Sequence, residues 1–340
     1  MTSPMQHPVT PQDLLNIKTV TDVQLSPDGR RAAYVLTEID TAKDEYRSAI
    51  WVAHTQGGAT QFTAGTKQDS APRWSPDGRW LAFLSNRAGD RAQLYVMPAD
   101  GGEARVLTSL DNGAGPAVWS PDSQHILFAA RVMQEPPPAD PAARARWTQR
   151  PRRVTRAQYK ADGQGFTFDG WSHLFVVPLA GGNARQLTSG AMDNGAPGWS
   201  PDGQQIAFSR PRAGITDYSL SDIWTMNADG GGVTPITEVV GRATSPSWSP
   251  DGASIACYGT DEQEAGLGDP LIRVWIIPAA GGAPRRLTEH YDRGAVLLPP
   301  PATAFGPVWS ADGASVLFIS ADSGNTQLVR AALADGRVEP

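Results

Sequence analysis

The sequence predicts an all-β fold, a β-propeller of four-stranded antiparallel blades with six repeats visible. Three observations predict it. A string built on Trp-Ser-Pro-Asp-Gly recurs six times along the 340 residues. Short apolar runs rich in β-branched and aromatic residues follow each copy, as paired strands require. Successive copies begin 49, 45, 80, 49 and 61 residues apart. Three of these gaps match the period of four strands and their turns, and two carry insertions.

The first strand of each repeat leads into Leu25-Ser26-Pro27-Asp28-Gly29, Trp74-Ser75-Pro76-Asp77-Gly78, Trp119-Ser120-Pro121-Asp122-Ser123, Trp199-Ser200-Pro201-Asp202-Gly203, Trp248-Ser249-Pro250-Asp251-Gly252 or Trp309-Ser310-Ala311-Asp312-Gly313. Pro presets φ, Asp bonds its own backbone and Gly accepts positive φ, which makes this a tight turn. A second strand follows, as in Trp80-Leu81-Ala82-Phe83-Leu84 or Ile206-Ala207-Phe208, and then a third, as in Leu94-Tyr95-Val96-Met97 or Ile223-Trp224-Thr225-Met226. The third ends at a Gly-Gly turn such as Gly101-Gly102, and the fourth closes on Leu-Thr, as at Leu107-Thr108 and Leu187-Thr188. One domain over 1–340 is therefore expected, with blades at about 20–63, 71–108, 116–188, 196–237, 245–288 and 306–340. The last is read as incomplete, its fourth strand interrupted at Asp335–Pro340.

A single blade cannot bury both of its faces, and stacking on its neighbours does so. The repeated Trp74, Trp119, Trp199, Trp248 and Trp309 are therefore read as blade-to-blade packing residues in preference to an aromatic ligand platform. The repeated Asp28, Asp77, Asp122, Asp202, Asp251 and Asp312 read as turn chemistry in preference to a ring of metal ligands. No metal or other cofactor is expected.

With 40% hydrophobic and 19% charged residues the chain can bury a core. Its net charge of −6 provides no general attraction for nucleic acid or an anionic membrane. The one cysteine, Cys257, rules out an internal disulfide and reads as a small buried hydrophobe. Met1–Thr10 has neither the basic start nor the apolar core of a secretory signal, and no apolar stretch approaches the ~20 residues of a membrane helix. A cytoplasmic location is the expectation.

One long insertion, about 131–170, lies between the second and third strands of the third repeat. It carries eight basic and four acidic residues in a chain that is acidic overall. A short helix is expected over Pro141–Trp147. Long loops inside compact domains often carry function, so Arg152, Arg153, Arg156, Tyr159 and Lys160 are the candidate interface to another domain or to substrate; a solvated surface loop is the alternative. Catalytic residues are not found. The nearest strings to Gly-x-Ser-x-Gly, Gly198-Trp199-Ser200-Pro201-Asp202 and Gly170-Trp171-Ser172-His173-Leu174, lack the second Gly. The five histidines (His7, His54, His125, His173, His290) are scattered without paired spacing.

The segments Thr10-Pro11-Gln12-Asp13-Leu14-Leu15, Glu45-Tyr46-Arg47-Ser48-Ala49-Ile50-Trp51 and Tyr159-Lys160-Ala161-Asp162-Gly163 resemble the N-terminal propeller of the prolyl oligopeptidase family, in its acylaminoacyl-peptidase-like branch. The likeness runs along essentially the whole chain. The Ser-Pro-Asp-Gly repeat alone is shared with the Tol-system propeller protein. The resemblance implies a propeller, commonly seven-bladed, that covers a C-terminal α/β-hydrolase domain bearing a Ser-Asp-His triad and admits short peptides to it. Neither a seventh blade nor that domain is expected within these residues, so no triad residue carries over and this chain alone is not expected to hydrolyse peptides. The implied partners are the hydrolase domain of the same polypeptide and a peptide substrate.

End blades without a neighbour forgo apolar burial. The chain is therefore expected to close as six blades, to pair as a homo-oligomer, or to belong to a longer protein. Three functions follow: the gating and docking propeller of a cytoplasmic serine peptidase, a stand-alone propeller binding a protein or peptide, and a Tol-like periplasmic binding propeller.

Overall fold

In all six repeats the serine of the Ser-x-Asp turn donates its Oγ–H to the Asp carboxylate two residues on, at 2.5–2.6 Å. The same carboxylate oxygen accepts the backbone N–H of the residue two further along, at 2.9–3.1 Å. The serine Oγ then accepts the N–H that opens the second strand, at 2.9–3.0 Å. Each turn is thus closed by its own side chains, which is why it recurs so faithfully. The residue after Asp sits at φ near +70° when it is glycine, and Ser123 takes the same left-handed conformation in the third repeat at φ +60°.

These turns organise six four-stranded antiparallel sheets, each in simple up-and-down order, in the computed structural model. The structure describes residues 10–340 except 137, 152, 155–158, 162–164, 168–169, 213–219, 238–239, 261–270 and 296–305. The sheets are the blades of a β-propeller. Blade one comprises Thr19–Leu25, Arg31–Asp40, Glu45–His54 and Ala59–Gln61; blade two, Asp69–Trp74, Trp80–Ser85, Gln93–Pro98 and Arg105–Val106. Blade three comprises Val118–Trp119, His125–Met133, Gly170–Pro178 and Arg185–Gln186; blade four, Gly195–Trp199, Gln205–Pro211, Ser221–Asn227 and Thr234–Pro235. Blade five comprises Thr244–Trp248, Ser254–Gly259, Arg273–Pro278 and Arg285–Arg286. Blade six comprises Val308–Trp309, Ser315–Asp322, Asn325–Ala332 and Val338–Glu339. This last blade corrects the expectation of an incomplete sheet. The turn through Asp335–Gly336 is tight enough for Ala331 to pair with Val338 and Arg330 with Glu339.

Two compact units divide the chain. One spans residues 1–117 and 301–303 and holds blades one and two; the other spans 118–300 and 304–340 and holds blades three to six. Within each unit the core lies between successive blades. In the first, Ile50 and Val52 of blade one meet Leu81, Phe83 and Tyr95 of blade two. In the second, Ile206 and Phe208 of blade four pack on Leu127 and Leu174 of blade three, while the intervening Ala207 faces Ile255 and Cys257 of blade five. Strand alternation thus sends neighbouring residues to different blades, and the strand reads as a continuous apolar run. Each fully buried side chain of this type contributes about 1.5–3 kcal/mol.

The repeated tryptophans span these interfaces. Trp74, Trp199, Trp248 and Trp309 each donate their indole N–H to the preceding blade, at Gln24 O, Val118 O, Gly198 O and Ser247 O, over 2.9–3.2 Å. Three residues before the Trp position, Asp22, Ala71, Ala196 and Ser245 all adopt φ between 47° and 56° and break the register of the first strand. Blades three and six have Pro116 and Gly306 at that position, and their first strands are only two residues long.

Candidate functional site

Up-and-down order puts the Ser-Pro-Asp-Gly and Gly-Gly turns at one end of each blade. The loops between second and third strands, and the connections to the next blade, lie at the other end. The insertion of blade three lies at this end of its own blade, as do buried Asp69 in blade two and Asp222 in blade four.

A threonine after the fourth strand seals that end. The hydroxyl oxygens of Thr63, Thr108, Thr188, Thr237 and Thr288 accept the N–H of Ile50, Leu94, Leu174, Ile223 and Val274, at 2.8–3.1 Å. The hydroxyl hydrogen then finds the side chain just before that N–H. In blade two Thr108 donates to Gln93 Oε1 at 2.8 Å, and in blade four Thr237 donates to Asp222 Oδ1 at 3.1 Å. In blade three the corresponding side chain is His173, whose Nδ1 lies 3.3 Å from Thr188 Oγ1. His173 is 4% exposed, and burial lowers its pKa against the opposing pull of Asp193. Burial thus favours its uncharged form, and blade two places a glutamine, Gln93, at the same position.

Two blades carry an arginine over a cross-strand aromatic pair at this end. In blade two Phe83 and Tyr95 face each other, and the Arg87 guanidinium lies 5.2 and 5.0 Å from their ring centroids. Asp69, 2% exposed, neutralises it at 3.0 Å. In blade four Phe208 and Trp224 form the equivalent pair, with the Arg210 guanidinium 5.2 and 4.5 Å from their rings. Its partner is Asn194, 1% exposed, whose Oδ1 accepts the Arg210 Nε–H at 2.9 Å. Asp69 and Asn194 both stand five residues before the Trp of their repeat. Asp222 is opposite Arg210 in register, yet its carboxylate is held by Arg212 at 2.8 and 2.9 Å. Among the described residues no carboxylate lies within ion-pair distance of Arg210, and burial lowers the pKa of its guanidinium.

The insertion carries a helix, Pro141–Thr148, capped by Asp140 through the Ala143 N–H at 2.6 Å, and a short hairpin of Lys160–Ala161 with Gly165–Phe166. No helix residue is buried, and the Arg150 guanidinium stacks on Trp147 at 4.3 Å. Of the candidate interface residues, Arg153, Tyr159 and Lys160 are exposed, Tyr159 by 45%. Arg152 and Arg156 lie outside the described residues. Tyr159 and Lys160 adjoin on the hairpin; the structure does not bring them to Arg210.

At the turn end, a cavity of about 630 Å³ lies between blades three and four, lined by residues including Asp122, His125, Arg185, Trp199, Asp202 and Asp229. Asp122 and Asp202 are engaged by their own Ser-x-Asp turns, and Arg185 donates to Asp229 O at 2.7 Å. Among the described residues no three His, Cys, Asp or Glu side chains converge to hold a metal ion, and no helix is long and apolar enough to cross a membrane.

Arg210 was not singled out from the sequence. The signal lay in the repeat itself: aligned on their Trp residues, the blades show Asp69 exchanged for Asn194. Four-stranded blades linked by inter-blade indole bonds define a repeat scaffold that presents its variable loops at one end. The chain belongs to the TolB beta propeller domain family, whose model matches residues 18–136 and 165–299. It is 42% identical over 206 residues to the uncharacterized peptidase YuxL of Bacillus subtilis, covering 60% of this chain and 31% of that protein. It is 28% identical over 357 residues to dipeptidyl-peptidase 5 of Porphyromonas gingivalis, covering 97% of this chain and 48% of that one. Among solved structures it resembles the acylaminoacyl peptidase of Pyrococcus horikoshii, with a TM-score of 0.69 at 18% identity, over 96% of this chain and 46% of that chain. The chain thus spans less than half the length of these proteins.

Proposed function

We propose that this chain is the substrate-gating and docking propeller of a serine-type peptidase of the oligopeptidase or acylaminoacyl-peptidase type, working in the cytoplasm and not catalytic by itself. The observation that carries this reading is the alignment of 97% of the chain with 48% of a dipeptidyl-peptidase. The fold supports it through a rigid turn end and a variable loop end, on which a second domain and a peptide can rest. The insertion serves as the docking element, with exposed Arg153, Tyr159 and Lys160 facing the catalytic domain or the substrate entrance.

The test is to read the source DNA beyond codon 340 and express the whole frame. The expected result is a downstream domain with Gly-x-Ser-x-Gly, peptidase activity in the full protein and none in residues 1–340. Changing Arg152, Arg153 and Lys160 together to Ala should then weaken domain association or activity; unaltered values would remove the docking role. A frame without such a domain would leave the second reading, a protein- or peptide-binding propeller, which the match to the TolB propeller model favours.

A further inference from the structure

Among the described residues, blade four holds a cation with no carboxylate counter-charge. A guanidinium has five N–H donors in a planar fork. Arg210 uses its Nε–H on Asn194, and its flat face is covered by Trp224 and Phe208. The terminal nitrogens have no carboxylate partner among the described residues, although the side chain is only partly open to water. Blade two shows what can complete such a stack: the pair Phe83 and Tyr95, an arginine, Arg87, that reaches it from four residues beyond Phe83, and a carboxylate, Asp69, at the position Asn194 occupies. The carboxylate opposite Arg210 in register, Asp222, is held by both the Nε and Nη2 of Arg212 and by Thr237. Asn194 is itself fixed, since its amide donates to Ser172 O at 3.1 Å and Met192 O at 3.0 Å. It therefore orients Arg210 without neutralising it.

We propose that Arg210, stacked on Trp224 and held by Asn194, is a binding site for the carboxylate of a peptide. The ligand carboxylate supplies the counter-charge that Asp69 gives Arg87 through one oxygen in blade two, and accepts N–H bonds from the terminal nitrogens of the fork that Asn194 leaves free. Trp224 and Phe208 fix the plane of the fork and shield one face from water, which strengthens the charge-assisted bonds. The carboxylate is either a peptide C-terminus or an Asp or Glu side chain. The site belongs to the propeller alone, so it stands or falls independently of an attached peptidase domain.

The test is isothermal titration of the 340-residue chain with three probes: N-acetyl-Ala-Ala with a free C-terminus, its C-terminal amide, and N-acetyl-Ala-Glu amide. A carboxylate-bearing probe is expected to bind, with the neutral amide at least about tenfold weaker. Preference for the first probe assigns the site to peptide C-termini, and preference for the third assigns it to acidic side chains. Arg210→Gln should abolish the preference, and Arg210→Lys, which keeps the charge but loses the fork, should weaken it. Binding of the amide as tightly as the acids, no binding of either acid, or full affinity in Arg210→Gln would overturn the proposal. The wild-type comparison of acid with amide is decisive even if a variant fails to fold.

Discussion

Blades two and four build the same stack from the same kinds of residue and finish it differently. In blade two the Arg87 charge is closed internally by Asp69, so the stack is a structural element. In blade four Asn194 stands at the acid's position, and among the described residues no carboxylate pairs with Arg210. Two changes separate them: Asn194 stands for Asp69, and the arginine moves from four residues beyond Phe83 to two beyond Phe208, where it meets its partner through Nε instead of Nη2. A repeat protein can vary such a packing device from blade to blade while the scaffold is unchanged.

The largest expected effect comes from breaking the closed stack. Arg87→Met should leave Asp69 buried beside an apolar side chain. Removing one partner of a buried pair costs about 3–5 kcal/mol. Arg210→Met leaves the buried Asn194 Oδ1 without its donor but no buried charge, and its cost should be smaller, about 1–3 kcal/mol. Denaturant unfolding of the two variants side by side checks the asymmetry; equal losses would mean that the two stacks are energetically alike.

Asp69→Asn sharpens the comparison by giving blade two the chemistry of blade four. A loss of about 3 kcal/mol is expected, at the lower end of the same range because the amide can still accept one N–H bond. The variant should also gain affinity for the carboxylate probe that Arg210 prefers, read by a second site in titration. Destabilisation without new binding would show that an uncompensated arginine on an aromatic pair is not sufficient.

The sequence made the blades legible because their turns are local. Ser, Pro, Asp and Gly satisfy one another within six residues, so nothing distant is needed to read them. The inter-blade role of Trp was legible for the same reason, as one large apolar residue at one repeat position. The site at the other end was not. Arg210, Asn194, Phe208 and Trp224 come from two strands and a connection, and only the three-dimensional pairing shows that Asp222 is already taken by Arg212. The fourth strand of blade six was not legible because Val338–Glu339 lacks the Leu-Thr close that marks blades two, three and five, and its partner strand supplies the pattern.

Smaller effects probe the turn end, where every blade is alike. Ser200→Ala removes the donor to Asp202 and the acceptor for the Gln205 N–H. A loss of about 1 kcal/mol is expected. The turn carboxylates also set an acid limit. The serine hydroxyl holds Asp28, Asp122, Asp202, Asp251 and Asp312 below the usual carboxylate range. In Asp77 burial is the largest influence and opposes this, but the Ser75 hydroxyl and the Arg79 N–H outweigh it. These carboxyls bind protons more readily in the unfolded chain, so stability should be fully present above the unfolded value of 3.8 and fall as pH drops through the native values. Ser200→Ala should lessen that fall by one turn's share; an unchanged acid slope would mean that the Ser–Asp bond does not set the Asp202 pKa.

The smallest effect at neutral pH, and the sharpest in shape, belongs to His173. Burial lowers its pKa below 6.5, so the unfolded chain takes up a proton that the native blade refuses. Stability should therefore be complete above about pH 6.5 and decline as pH falls toward the native pKa. Blade two shows that glutamine satisfies the same threonine hydroxyl, at Gln93. His173→Gln should leave stability at pH 8 nearly unchanged and flatten the decline between about pH 6.5 and 5, because Gln does not titrate. Unfolding midpoints at pH 8, 6.5 and 5 for both proteins measure this. If the variant kept the full pH dependence, the titrating group would lie elsewhere, and burial of His173 would not be its source.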